Sequence, residues 1–341
     1  MIFAPCRDGL ALGLGGAPLG NLFAPLDEAV ADGLLQSALA AGCRSVDTAP
    51  HYGNGLSEHR VGRALRSIPR EAVVLSTKVG RLLHPRSDAP RAQHGYEEVL
   101  PFVQSWDFSA AGVRRSVEDS LQRLGLARLD VVYVHDCDAG THGTEAYPRI
   151  LRQVIDEALP ELRRLREQGL LRHIGLGVND VQVCLDVLAE TELDCLMLAG
   201  RYSLLDHQAL PTLLPLCAAR GVRLALGGVF NSGILATGVR EVQAGGAPLR
   251  FNYAPAAAHW VQRTAAIERV CEAHGVPLRA AALQFPLAHP AVEIVVLGAT
   301  ATAQWEDARR MLAYPVPAAF WESLRTQGLL PEAAPVPRGG A

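Results

Sequence analysis

Short apolar runs with little polar alternation, each followed by a longer amphipathic stretch, recur eight times along the chain. Runs such as VVYV and IVVL are apolar at consecutive positions, as strands buried on both faces must be. The pattern predicts strands at Ala11–Gly15, Arg44–Asp47, Ala72–Lys78, Leu129–His135, His173–Val178, Asp194–Leu198, Arg223–Gly227 and Glu293–Leu297. Helices are expected at Asp27–Ala41, Ser57–Ser67, Ala110–Leu124, Pro148–Glu167, Val181–Glu190, Ala209–Arg220, Ala256–His274 and Ala303–Leu312. In AAGCR, REQGLL, AARGV and EAHGV a glycine stands just past the helical pattern, where a left-handed C-terminal residue ends a helix. Eight strand–helix units in 341 residues without an interior linker fit one (β/α)8 TIM barrel over residues 1–330 better than two doubly wound domains. The closing PEAAPVPRGGA, residues 331–341, reads as a loose tail. Two connections, Arg81–Asp107 and Gly228–Pro255, exceed what a barrel needs and are expected to lie over a pocket.

Charge and composition exclude several classes of partner. A net charge of −3 gives no basic field for nucleic acid or anionic lipid. No apolar run approaches the ~18 residues of a membrane helix, and MIFAPCRDGL lacks the layout of a signal peptide. Seven scattered cysteines without a Cys-x-x-Cys pair read as reduced thiols, several of them core filler. A cytoplasmic enzyme with a small-molecule substrate is the expectation; nothing in the composition points to a particular oligomeric state.

Lys78 is the only lysine among 32 basic residues. A surface charge tolerates exchange for arginine, whereas a site needing a compact ammonium beside a titrating group does not. Lys78 closes the third predicted strand, Asp47 the second and His135 the fourth, and Tyr52 follows Asp47 in the loop SVDTAPHYGNG. Barrel active sites lie at the C-terminal ends of the strands. Singly, Asp47 reads as a turn cap, Tyr52 as rim packing and His135 as a satisfied core histidine. Together they form a coherent set. A phenol is a weak base because its ordinary pKa is about 10; an ammonium favours the phenolate, a carboxylate holds the ammonium, and an imidazole orients a substrate oxygen.

The stretch DTAPHYGNG with SEHRVGRAL resembles the first signature of the aldo-keto reductases, and so do LGLGGAPLGN, VVLSTKVGRLL, SVEDSLQRLGLARLDVVYVHD, IGLGVND and VVLGATATAQWEDA. The similarity covers nearly the whole chain. It implies a tetrad of Asp47, Tyr52, Lys78 and His135, with hydride exchange between a nicotinamide C4 and a carbonyl or alcohol carbon. The VHDCD loop, LAGRYSLLD and GGVFNSGIL are most similar to the aldose 1-dehydrogenases of the family, which implies oxidation of a free aldose at C1 to the lactone. Pyridoxal oxidation or general carbonyl reduction is the alternative within the family. Outside it, the alternatives are a metal-dependent barrel hydrolase and a cofactor-sensing subunit.

The same resemblance implies that Asn179 binds the nicotinamide carboxamide, although an Asx cap on the helix beginning at Val181 explains it equally. It places the adenosine end at Gly298, Ala299, Thr300 and Gln304. Met197 and Gly227 depart from the family, replacing a carboxamide-binding Gln and a stacking aromatic; Phe230 or Tyr202 is the expected substitute for the aromatic. Thr300 and Ala301 stand where NADP-dependent members carry a cation, and Arg309 and Arg310 lie a helix away. Lacking charge-assisted contacts to a 2′-phosphate, the chain is expected to prefer NAD, with NADP possible. His51, Asn54, Trp106 and Phe230 are the expected substrate contacts. GLGGAPLG meets Pro18 where a dinucleotide loop would open a helix. HDCD lacks the histidines from several strands that a barrel metal site would use, so no metal is expected.

Overall fold

The computed structural model describes residues 1–240 and 249–338. Eight parallel strands close into a barrel in simple sequential order. They are β1 (Leu12–Gly15), β2 (Ser45–Asp47), β3 (Val74–Val79), β4 (Val131–His135), β5 (His173–Val178), β6 (Cys195–Ala199), β7 (Arg223–Gly227) and β8 (Val292–Gly298). All eight fall within a few residues of the expected positions, and helices Ala110–Leu124 and Val181–Glu190 match at both ends. No helix among the described residues is long and apolar enough to cross a membrane.

The barrel interior is packed. Val131, Tyr133, Cys195, Met197, Ala225 and Ile294 meet there, and Phe3 joins them from the N-terminal segment. The Ile2 and Phe3 amides donate to Glu293 Oε2 at 2.8 and 3.1 Å, and the Ala4 amide donates to Ser45 Oγ at 3.0 Å. These contacts seat Phe3 at the N-terminal ends of the strands. The chemistry is thereby left to the opposite end.

Several elements differ from the sequence pattern. The 148–167 helix contains a π-helical turn, Val154–Ala158. Helix Leu213–Arg220 starts four residues later than expected. Helix Leu278–Gln284 was not expected: Ala280, Ala281, Ala282 and Leu283 are all buried, which leaves no amphipathic period to read. Helix Ala318–Thr326 is likewise additional. The Arg81–Asp107 connection is an antiparallel hairpin, Arg81–Pro85 with Phe102–Trp106. In the 228–255 connection, residues 241–248 lie outside the described residues; the remainder includes helix Ile234–Thr237 and a short ribbon, Arg250–Phe251 with Ala254–Pro255. The expected loose tail is partly docked: Ala334 is buried, its carbonyl accepts from Arg325 Nη2 at 2.7 Å, and Val336 packs against the core.

Candidate active site

Strand register sets the heights of the functional groups. Asp47 pairs with Ser76 across β2 and β3, Lys78 with Tyr133 across β3 and β4, and His135 with Gly177 across β4 and β5. Gly177 has a steric task here: a Cβ would meet Tyr133 Cβ at 3.2 Å and Lys78 Cε at 3.4 Å. Lys78, only 2% exposed, donates to Asp47 Oδ2 at 2.7 Å and to the Thr48 carbonyl at 2.9 Å. The other Asp47 oxygen accepts from Ser76 Oγ at 2.7 Å. Every polar atom of this buried pair is therefore engaged, the condition under which ion pairing offsets desolvation.

Tyr52 lies above the pair, with Lys78 Nζ 4.6 Å from its ring centroid. Its backbone is clamped by the loop after β1. A Cβ at Gly20 would fall 2.4 Å from the Tyr52 carbonyl carbon, and one at Gly53, where φ is +67°, would fall 2.5 Å from the Gly20 carbonyl oxygen. The following helix, Leu56–Leu65, is tied to β3 beside Lys78 because buried Glu58 accepts from Thr77 Oγ1 at 2.7 Å and from Arg123 Nε at 2.5 Å. His135 meets the Tyr52 ring edge-on, with centroids 6.1 Å apart. The tetrad residues expected from the sequence thus share one site.

Burial governs its electrostatics. Desolvation pushes the Tyr52 phenol well above its ordinary range, and the Asp47 charge adds to the effect. This differs from the expectation that Lys78 would bring Tyr52 down, because burial of the phenol, with the Asp47 charge beside it, outweighs the ammonium 4.6 Å from the ring centroid. Asp47 itself is raised by burial against the opposing pull of Lys78. Desolvation, then the Arg81 and Lys78 charges, hold His135 well below the usual histidine range.

His51 is also neutral: burial, reinforced by Arg81, lowers it to about 3. Its tautomer follows from a directed chain of hydrogen bonds. Asn54 Nδ2 donates to the Phe102 carbonyl at 2.7 Å, so Asn54 Oδ1 accepts from Gln104 Nε2 at 2.7 Å. Gln104 Oε1 must then accept from His51 Nδ1 at 3.0 Å, which leaves His51 Nε2 with a lone pair. Buried Asn54 therefore braces the hairpin, with both of its amide atoms engaged by protein partners. Trp106 packs on Arg81, Phe108 and His142 at the hairpin's end.

A cleft of about 760 Å³ runs from Asp47 and Tyr52 to Gln304, Asp307 and Arg310. Asn179 and Phe230 line it, as do Met197 and Gly227. Asn179 is free to do so because Asp180, not Asn179, caps the next helix, accepting from the Val183 amide at 2.9 Å. Tyr202 is excluded from stacking there, being buried against Phe285 and His289. At the outer end Gly298 and Gln304 line the cleft, whereas Ala299 is buried in the core and Thr300 is exposed beside it. Gln304 Oε1 accepts from the Thr300 amide at 2.8 Å. Helix Thr302–Leu312 begins at the cleft without a side-chain cap.

The sequence reading missed five groups: Arg81, Asp136, Gln104, Arg279 and Asp307. Arg81 and Asp136 each stand within three residues of a tetrad member, and that adjacency was an available signal. Arg279 and Arg310 both line the cleft, contrary to the expectation that no arginine reaches it, and both pair with Asp307, at 2.7 and 3.1 Å. Arg309 points elsewhere, to Asp8 and the Ala41 carbonyl.

A profile of the Aldo/keto reductase family matches residues 11–326. The chain belongs to that family. Like its other members it is an NAD(P)-dependent oxidoreductase. It is 41% identical to pyridoxal 4-dehydrogenase of Microbacterium luteolum over 329 residues, covering 94% of each chain. It is 37% identical to D-threo-aldose 1-dehydrogenase of a Pseudomonas species, again covering 94% of each. Among solved structures, an aldo-keto reductase of Bacillus halodurans superposes with a TM-score of 0.68 at 26% identity, covering 96% of this chain and 94% of that one. The cleft fits a nicotinamide dinucleotide in volume, in its run of small lining residues (Gly15, Gly16, Gly227, Gly228) and in a helix start with no side-chain cap, an end of the helix that suits phosphate oxygens.

Proposed function

We propose that this aldo-keto reductase oxidises the hemiacetal carbon of a cyclic substrate, a free aldose in the first instance, to the lactone. The carrying observation is the buried Lys78–Asp47 pair at 2.7 Å beneath Tyr52, with His135 edge-on to the phenol. A bound NAD(P) supplies the hydride acceptor. Tyr52 takes the hydroxyl proton, and His135, neutral across the working range, donates a hydrogen bond to the same oxygen. Lys78 stabilises the phenolate across the ring face, while Asp47 and Ser76 keep the ammonium from rotating away. Asn179 holds the carboxamide, and Phe230 contributes an apolar wall.

The lone pair at His51 Nε2 gives the site an acceptor beside the His135 donor, an arrangement suited to a substrate with neighbouring hydroxyls. The second reading is pyridoxal, whose hemiacetal form undergoes the same oxidation. Tyr96 stacked 6.0 Å from Tyr52 and Phe23 facing Tyr253 across 6.3 Å favour an aromatic ring, as does the likeness to pyridoxal 4-dehydrogenase. NAD is the proposed cofactor, because Arg279 and Arg310 are both engaged by the Asp307 carboxylate and are so withheld from a 2′-phosphate. A panel of aldoses and pyridoxal, scanned for NADH and NADPH formation, tests these assignments. Turnover of none of these compounds, with acyclic ketones reduced instead, would overturn the hemiacetal reading.

A further inference from the structure

Arg81 reaches three groups at once. Nη1 lies 2.9 Å from His135 Nδ1, Nη2 donates to Asp136 Oδ2 at 2.8 Å, and the guanidinium stacks 3.8 Å from the Trp106 ring centroid. A guanidinium has donors only and keeps its proton. His135 Nδ1 must therefore accept, which places the ring proton on Nε2.

Asp136 is the hazard in this arrangement. Its Oδ2 sits 3.5 Å from His135 Nε2, close enough to capture that proton if the carboxylate were free to approach. Its backbone is left-handed, with φ of +44°. That conformation is held at both ends: the Asp136 amide donates to the Gly177 carbonyl at 3.0 Å, and His142 Nε2 donates to the Asp136 carbonyl at 2.9 Å. The backbone thus aims the carboxylate at Arg81. Facing His135 from other elements are Lys78 on β3, and His51 and Tyr52 from the loop after β2. Burial first, then the Arg81, Lys78 and His51 charges, disfavour a charged ring, and Asp136 at 3.5 Å is the acidic neighbour that opposes them once Arg81 is lost.

We infer that Arg81 is a positioning residue that locks His135 as the neutral Nε2–H tautomer and keeps Asp136 from competing with substrate for that proton. The inference rests on the placement of His135 beside the substrate oxygen. The sequence VGR after Lys78 and HD at β4 then form one device: strand end, imidazole, carboxylate and guanidinium.

Arg81→Met keeps the stem on Trp106 and removes every donor. Its test is ¹⁵N NMR of the histidine rings, with His135 assigned by its loss in His135→Gln, alongside steady-state kinetics and calorimetric NAD⁺ binding. In the wild type the ring should stay Nε2–H and neutral from pH 6 to 10. In Arg81→Met its titration should move upward from the wild-type position, because the Arg81 charge is gone and Asp136 is released, and kcat should fall roughly tenfold to a hundredfold, as for loss of an outer hydrogen-bond partner of a metal-bound histidine, with NAD⁺ affinity unchanged. Arg81→Met/Asp136→Asn should restore the neutral ring and recover part of the lost kcat, which a purely structural role for Arg81 would not allow. A ring whose titration and tautomer are the same in Arg81→Met as in the wild type, or no recovery in the folded double variant, overturns the lock. A ring that responds as described while turnover is untouched overturns the placement of His135 beside the substrate, and with it the catalytic meaning of Arg81. If Arg81→Met fails to fold, Arg81→Leu carries the same test, since it also removes every donor and keeps an apolar stem against Trp106.

Discussion

At the inner end of the cleft Asp47 and Lys78 are almost wholly buried and joined at 2.7 Å, with Ser76 and the Thr48 carbonyl completing their hydrogen bonds. At the outer end Asp307 makes ion pairs of similar length, but Arg310 is 70% exposed and Arg279 41%. The inner charges are fixed because any movement would strand one of them unsolvated. The outer charges exchange with water at little cost, since exposed ion pairs contribute at most about 1 kcal/mol. Bond length therefore says little about what a pair does; burial separates a fixed electrostatic field from an adjustable one.

The strongest way to break this contrast is to remove the group that the inner field serves. Tyr52→Phe should lose roughly two to four orders of magnitude in kcat, the range for a general acid–base, while calorimetry finds NAD⁺ binding intact. A loss of less than tenfold would mean that another group moves the proton. Lys78→Met tests the field itself. It leaves Asp47 buried without its cation, so urea unfolding should show a loss of about 3–5 kcal/mol, and Lys78→Met/Asp47→Asn should recover much of it. Lys78→Arg keeps the charge yet should not restore turnover, because a forked guanidinium does not fit the space beside Gly177. Near wild-type activity in Lys78→Arg would show that charge alone suffices.

The pH profile reads the same site without a substitution. Tyr52 holds its proton well above the ordinary phenol range, and oxidation needs the phenolate. The rate with chemistry limiting should therefore rise about tenfold per pH unit through neutrality, without levelling off by pH 9. His135 lies well below the usual histidine range and is already neutral there, so it adds no second limb. Reduction needs the protonated phenol and should be flat over the same interval. A plateau in oxidation near pH 7 would mean that Lys78 lowers Tyr52 far more than this geometry implies.

The contrast between the two ends also explains what could be read in the sequence. Strand ends announce themselves through apolar runs, and a lone lysine, an aspartate, a tyrosine and a histidine at or just beyond such ends pointed to the tetrad. The barrel followed from the same runs. Arg279 carried no such mark: it sits in a helix whose buried Ala-rich face hides its period, and it reaches Asp307 only through tertiary packing of that helix against Thr302–Leu312. Gln104 and Arg81 belong to a hairpin that reads as an irregular loop, because Arg81–Pro85 is broken by charge and proline and Phe102–Trp106 is only partly buried. Asp136 looked like part of a metal-like HDCD cluster; only the fold shows that its carboxylate pairs with Arg81.

The outer end invites the smaller effect. If Asp307 sets cofactor choice, Asp307→Ser should free Arg279 and Arg310 from their shared carboxylate and give a 2′-phosphate two cations to approach. One charge-assisted contact is worth about 1.5–3 kcal/mol, so kcat/KM for NADP relative to NAD should rise roughly tenfold to a hundredfold. Calorimetric Kd values for the two dinucleotides should shift by the same factor. Thr300→Arg adds a cation beside the cleft but leaves Asp307 in place, so its gain should be the smaller of the two. Because these charges are exposed, the NADP gain in Asp307→Ser should shrink as salt is raised from 0.05 to 0.5 M, whereas the buried Lys78–Asp47 pair should be nearly indifferent to salt. A wild-type enzyme that already prefers NADP would show that Arg279 or Arg310 leaves Asp307 for the phosphate, and the outer end would then be a switch between partners with no built-in preference for NAD.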